Sequence, residues 1–415
     1  MALIDRLLAG RIQFGTLTIH RGDKISVLGN STGGWPDIHL HILSSAAERR
    51  ILTNPKLGLG EAFIDGSIRV ENDDIMGLVE LVRSNNPWEN GGKIKPDTWL
   101  QKLGDALMRP FQQLNSRTNS RSNVAHHYDL SNDFYRQWLD DDMQYSCAYW
   151  DEGVVTLEQA QMAKKAHIAA KLALQPGQRV LDIGCGWGGT ALYLNKIADV
   201  NVLGITLSTE QLALAQQRAE AAGVSDRVKF ELIDYRDLAV REAGKFDRIV
   251  SIGMFEHVGA PQFDTFFRAA ANLMTDDGVM LLHTIGRMGK PGSTDAFTRK
   301  YIFPGGYIPA LSETLASSEK MKLIASDIEN LRLHYAKTLR QWDLRVRAVR
   351  EQVIAQYDER FYRMWIFYLA GATAAFESGG MCNFQIQFIK NRHNVPTTRN
   401  YMAAAERAYL NKITV

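Results

Sequence analysis

The stretch Val180–Gly189, VLDIGCGWGG, limits what this chain can fold into more than any other feature. A short apolar run breaks into four glycines within six residues. Such a pattern reads as a buried strand ending in a turn whose backbone takes unusual φ angles and comes close to something. The surroundings agree. From about residue 124 short apolar runs recur at Arg179–Ile183, Asn201–Ile205, Val228–Ile233, Arg248–Ile252 and Val279–His283, with helical patterns such as Glu210–Ala222 between them. That alternation predicts an α/β fold, a mostly parallel sheet with helices on both faces. Ligands of such sheets sit at the carboxyl ends of the strands, near the point where strand order reverses. Asp182, Gly184, Gly186 and Gly188 fall at such a place.

A length of 415 residues predicts two domains. Residues 1–90 read as a small α+β domain. Leu17–His20, Lys24–Leu28 and Ile38–Ile42 are short strands, followed by the apolar segment Leu57–Val70 and a helix over Asp74–Arg83. The pattern resembles sterol-carrier-type lipid-binding modules, which implies lipid binding or dimerisation. Residues 91–123 form a basic amphipathic segment and linker. Leu100, Leu103, Leu107, Phe111 and Leu114 recur at helical spacing, and Lys93, Lys95, Lys102, Arg109, Arg117 and Arg121 outnumber Asp97 and Asp105. Such a helix suits an anionic bilayer surface, or docks on its own protein with a solvated basic face. Residues 124–415 form the α/β domain.

The net charge of +2 argues against nucleic-acid binding by bulk charge. Cys147, Cys185 and Cys382 are too few for a disulfide framework and are not spaced as a zinc site, so no metal is expected. There is no secretory pattern at the N-terminus and no apolar run long enough to span a bilayer. A cytoplasmic setting fits, with lipid met only at a membrane surface.

The spacing D-x-G-x-G-x-G differs from that of pyrophosphate binders, and a carboxylate ahead of the turn favours a cationic amino-acid end over a phosphate. It matches the S-adenosylmethionine motif of Rossmann-like methyltransferases. Such enzymes commonly place an acidic residue at the end of the second strand. Here that strand ends Gly204–Gln211, GITLSTEQ, so Thr206 and Gln211 are expected to supply neutral hydrogen bonds instead. Asp234 or Tyr235, after the third strand, would meet the adenine, and Asp237 reads as a helix N-cap. Tyr145 and Ser146, in the segment upstream, complete the expected cofactor contacts.

A second stretch, Ile252–Gly259, IGMFEHVG, sets Glu256 and His257 in apolar company. An unpaired ionised carboxylate there would be costly, so Glu256 should have partners or a raised pKa. Upstream lie HYDLSNDFY (127–135) and MQYSCAYW (143–150); downstream lie LLHTIG (281–286) and KYIFPGG (300–306). Together with the glycine turn these closely resemble the cyclopropane-fatty-acyl-phospholipid synthases, over residues 127 to about 370. The resemblance implies a seven-stranded Rossmann-like methyltransferase domain acting on unsaturated phospholipid at the inner face of the membrane, as a homodimer. Methyl transfer from S-adenosylmethionine to a cis double bond leaves a carbocation, and ring closure needs a base, understood in the family to be a bound bicarbonate. By match to the family's motif its cage would be Cys147, Glu256, His283, the backbone of Ile285, and Tyr335. With no acyl transfer in the reaction, Cys147 reads as a hydrogen-bonding wall rather than a nucleophile. His257 would orient Glu256. The rings of Tyr149, Trp150, Phe303, Trp342, Phe361 and Phe367 would, as a set, stabilise cations by roughly 0.5–2 kcal/mol each. A product that stops at a methyl-branched or methylene fatty acid, or an amine N-methyltransferase of the coclaurine type, remains the alternative.

Overall fold

The computed structural model describes residues 2–54, 57–92 and 130–414. The basic segment at 93–123 and His127 lie outside them. The chain divides into two compact units. The first joins the residues up to 92 to 294–303 and 335–381, segments that by sequence fall within the 124–415 region. The second takes the rest.

The first unit is built on a four-stranded sheet in the order β2-β1-β3-β4, from β1 (Gly15–Arg21), β2 (Lys24–Asn30), β3 (Asp37–Ile42) and β4 (Ile68–Val70). Alternation along β1 buries Leu17 and Ile19. Helices Gly58–Ile64 and Ile75–Ser84 both pack against a third, Glu359–Glu377, from far along the chain. Asp358 starts that long helix by accepting from the Phe361 N–H at 2.6 Å. Its inner face carries Trp365, Ile366 and Leu369, all almost fully buried, each contributing about 1.5–3 kcal/mol by leaving water. The Arg340 guanidinium ties the unit together by donating to Glu377 at 2.5 Å and to Glu80 at 3.0 Å.

The second unit carries a seven-stranded sheet in the order β10-β11-β9-β8-β5-β6-β7. Its strands are β5 (Arg179–Ile183), β6 (Asn201–Thr206), β7 (Val228–Leu232), β8 (Phe246–Ile252), β9 (Met274–Arg287), β10 (Ile324–Asn330) and β11 (Met381–Ile389). The pairs β5/β6, β5/β8, β6/β7 and β8/β9 are parallel, and β10 runs antiparallel to β11. This is the mostly parallel α/β sheet that the alternation predicts. Because β5 lies between β6 and β8, the strand order reverses there, and the crevice at its carboxyl end is the place for a ligand. β9 runs four residues past the His283 at which the apolar run stops, and this brings Ile285 into reach of Glu256.

Helix Leu157–Lys171 lies across this unit with unusually polar buried contacts. His167 is held between two carboxylates: Nδ1 lies 3.0 Å from Glu406 Oε2, and Nε2 lies 2.7 Å from Glu329 Oε2. Burial alone would lower its pKa, but the two carboxylates raise it above the ordinary 6.5. Glu329 is opposed by burial, yet His167 and Lys171 hold it down to about 2. The His167 contribution to stability is therefore complete below pH 6.5 and is lost as pH rises through the raised value. That of Glu329 is present above its ordinary 4.5 and lost as pH falls toward about 2. The thermal midpoint of the full chain is expected to fall above pH 6.5, and His167→Gln is expected to flatten that slope. An equal slope in both proteins would exclude the clamp as its source.

Candidate active site

The glycine turn is shaped by β6: the N–H groups of Gly184 and Cys185 both donate to the Ile205 carbonyl, at 2.9 and 3.0 Å. The turn then passes through left-handed backbone at Gly184, Gly186 and Gly188 before the helix Gly189–Ala198 begins. One cavity opens where β5, β6, β7 and β8 end. Gly184 and Gly186 line it, as do Tyr145 and Ser146 from the upstream segment, and Thr206, Gln211, Asp234 and Tyr235 from the ends of β6 and β7. Gly188 stands back, where a Cβ would lie 2.7 Å from the Phe230 ring and 3.0 Å from Ala215. Trp187, Met254 and His257 also line the cavity.

Asp182 stands on the cavity wall, 2% exposed, and its carboxylate has no hydrogen-bond partner among the described residues. Burial pushes its pKa up to about 7, against the positive charge of Lys164. A buried carboxylate in that condition is relieved by a cation. At the end of β6 the expected neutral donors form a bonded pair, with the Thr206 hydroxyl donating to Gln211 Oε1 at 3.1 Å. Asp234, and not Asp237, caps the helix Tyr235–Arg241 by accepting from the Arg236 N–H at 2.9 Å. The Arg236 side chain, folding back, grips both of its oxygens. Asp237 lies inside the first turn, where its charge favours the helix dipole.

Beside the cavity, β8 ends in a single turn of 3-10 helix, Phe255–His257. Glu256 Oε1 accepts from the Ile285 N–H at 2.6 Å, while Oε2 is buried with no hydrogen-bond partner among the described residues. Among the described residues no ion pair holds this carboxyl; burial pushes it up to about 7, against the lowering effect of the backbone N–H groups of Glu256 and Ile285 and of the Thr284 hydroxyl. His283, 1% exposed, has Nε2 3.1 Å from Asn383 Nδ2 and Nδ1 3.1 Å from Gln385 Nε2, both amides on β11. A neutral imidazole offers one donor and one acceptor. Since Gln385 Oε1 is otherwise unpaired among the described residues, turning that amide lets Nδ1–H donate to it, while Asn383 donates to Nε2. Burial, with the charges of Lys164 and Lys171, keeps the ring neutral. The carbonyl of His283 accepts from the Gly253 N–H at 2.9 Å and ties the end of β8 to β9.

The Cys147 thiol is 1% exposed, and burial raises its pKa far from the thiolate range. It is a weak donor, not a nucleophile. His257 is kept neutral, pushed by burial down to about 4, and faces the cofactor cavity. Tyr335 belongs to the first unit, where its ring packs edge-on to Trp342 at 5.8 Å and against Phe376 at 4.8 Å. Of the aromatic set, Phe303, Trp342, Phe361 and Phe367 likewise belong to the first unit. In the second, Tyr149 stacks between His167 and His334. Sequence reading missed Lys164, fully buried beneath the segment 143–147. Its only signal is a polar stripe, Gln161 and Lys164, on an alanine-rich helix.

A cavity at the reversal point, floored by glycine backbone and walled by an unpaired buried carboxylate, suits a ligand that carries an adenosine and a positive charge together. S-adenosylmethionine-dependent methyltransferases hold such a ligand there, and fold and cavity place this chain among them. The profile of the mycolic acid cyclopropane synthetase family matches residues 115–386, and the chain belongs to that family. It is 39% identical over 372 residues to the cyclopropane-fatty-acyl-phospholipid synthase of Escherichia coli K12, covering 90% of this chain and 93% of that one. It is 37% identical to the "Probable fatty acid methyltransferase" of Pseudomonas putida, over 85% of this chain and 88% of that one. The solved structure of mycolic acid cyclopropane synthase CmaA1 complexed with SAH and CTAB superposes with a TM-score of 0.60 at 36% identity, covering 65% of this chain and 97% of that one.

Proposed function

We propose that this chain transfers a methylene group from S-adenosylmethionine to cis double bonds of phospholipid acyl chains, giving cyclopropane fatty acids. The observation that carries the reading is Glu256, a buried carboxyl with one oxygen anchored to Ile285 and the other without a hydrogen-bond partner among the described residues, beside the cofactor cavity. A group poised near neutrality can hold or exchange a proton at that oxygen without leaving a bare charge in an apolar site. S-adenosylmethionine, when bound, supplies an electrophilic methyl; Asp182 and the glycine turn are the groups that would hold it. Bicarbonate, when bound, would supply the base for ring closure, and Glu256 and Cys147 would hold it; both ring nitrogens of His283 are already engaged by Asn383 and Gln385. The Ile285 N–H already serves Glu256, so its part is to fix the carboxyl. His283, neutral and clasped by two amides, excludes a second charge from the site.

The E. coli relative is named for the cyclopropane product, which supports this reading. The name of the P. putida relative favours a second, in which the reaction ends with methyl transfer and yields a branched acid. The substrate would be met at the cytoplasmic membrane surface, by a homodimer. Among the described residues no helix is long and apolar enough to cross a bilayer. The test is incubation of the purified protein with methyl-labelled S-adenosylmethionine and vesicles of unsaturated phospholipid. The expected product is heavier by one CH2, lacks the olefinic protons and shows new high-field ring protons by NMR. Retained olefinic signals with the same mass gain would select the branched product, and no labelled lipid at all would remove both readings.

A further inference from the structure

Lys164 is fully buried on the helix Leu157–Lys171, and its ammonium group donates to Gln144 Oε1 at 2.6 Å and to Ser146 Oγ at 2.8 Å. Both acceptors line the cofactor cavity. One turn earlier on the same helix, Gln161 Nε2 donates to the carbonyls of Gln144 and Ser146 at 3.1 and 3.0 Å. A structural role needs only the glutamine. A buried charge adds a cost of several kcal/mol that no ion pair relieves, since Lys164 makes none within 4 Å among the described residues. The Gln144 amide N–H is itself given to Asp142 Oδ2, at 3.0 Å, so from these contacts we infer that Lys164 is a positioning residue for the cofactor: through Ser146 it gives this wall of the cavity a positive polarity, which selects and orients the carboxylate of the methionine end.

The opposite sign is already on the wall, in Asp182, so the two sides suit the carboxylate and the cationic groups of a zwitterion. The inference rests on the cofactor being S-adenosylmethionine. Around the ammonium stand Asp140, Asp142, Lys165, Cys147, Asp182 and His283. Burial outweighs the carboxylates and brings Lys164 down to about 8, so the charge is present at neutral pH and lost as pH rises through that value. Asp182 has ionised by then.

The test is calorimetric binding of S-adenosylhomocysteine to the full-length protein between pH 7 and 9.5. The expected result for Lys164→Met is a Kd about tenfold or more weaker at pH 7 and a flatter pH dependence than wild type. The ligand's own ammonium titrates equally in both proteins, so the difference isolates the lysine. Ser146→Ala, which leaves Lys164 in place and serves should Lys164→Met fold poorly, is expected to weaken binding and to flatten the same profile. In the double variant the two losses should not add. Additive losses, or a wild-type profile as flat as that of Ser146→Ala, would overturn the inference while leaving the methyltransferase reading intact. Failure of the wild-type protein to bind the ligand would overturn both.

Discussion

Glu256→Gln is expected to lower kcat by about 10³-fold, as when a positioned acid–base group is lost, with Kd for S-adenosylhomocysteine changed by no more than about twofold. The amide still offers an oxygen to the Ile285 N–H, so the end of β9 and the turn Phe255–His257 keep their hydrogen bond. What disappears is the ability of the second oxygen to exchange a proton. The cofactor cavity is lined by His257 and Val258, not by Glu256 itself, which is why binding should survive. Labelled-lipid formation at the wild-type rate by a variant that still binds the ligand would remove Glu256 from the chemistry.

Gly188→Ala is expected to destabilise the second unit by about 3 kcal/mol, combining a left-handed backbone penalty with overpacking, seen as a fall in thermal midpoint. The residue sits at φ +82°, and its added methyl would press on Phe230 and Ala215, both inside the core formed by β6, β7 and their helices. Relief by moving Phe230 is blocked because the same ring lies against Gly204 on β6. Gly186→Ala shares the positive φ but meets nothing within 4 Å, so its stability loss should be smaller while its effect on the cofactor is larger. Equal midpoints for the two variants would show that backbone strain alone, and not the crowded core, sets the cost.

Most of the parallel strands were legible because they are short, almost wholly apolar runs, as strands covered on both faces must be; β7, at the sheet edge, instead alternates Lys229 and Glu231 with Val228, Phe230 and Leu232. The glycine turn was legible because few local patterns require so much positive φ. β10 escaped notice: Ile324–Asn330 alternates exposed residues with half-buried ones and the buried Asp327 at a sheet edge, and carries little apolar signal. Asp234 and Asp237 are three residues apart and equally suited to cap a helix; only the backbone decides between them. Lys164 was invisible for a deeper reason. A lysine on a helix ordinarily faces water, and nothing local reports that the loop folded over it is made of polar acceptors. The joining of 335–381 to the N-terminal residues was equally hidden, since the apolar face of Glu359–Glu377 does not say which partner covers it.

That last arrangement bears on how the protein is made. A ribosome releases the N-terminal strands first, yet the helix that closes over Gly58–Ile64 and Ile75–Ser84 emerges some three hundred residues later. Until then the nascent chain carries an uncovered greasy surface, a natural handle for chaperones during synthesis. Trimming the chain before residue 90 would leave the late helix without its seat.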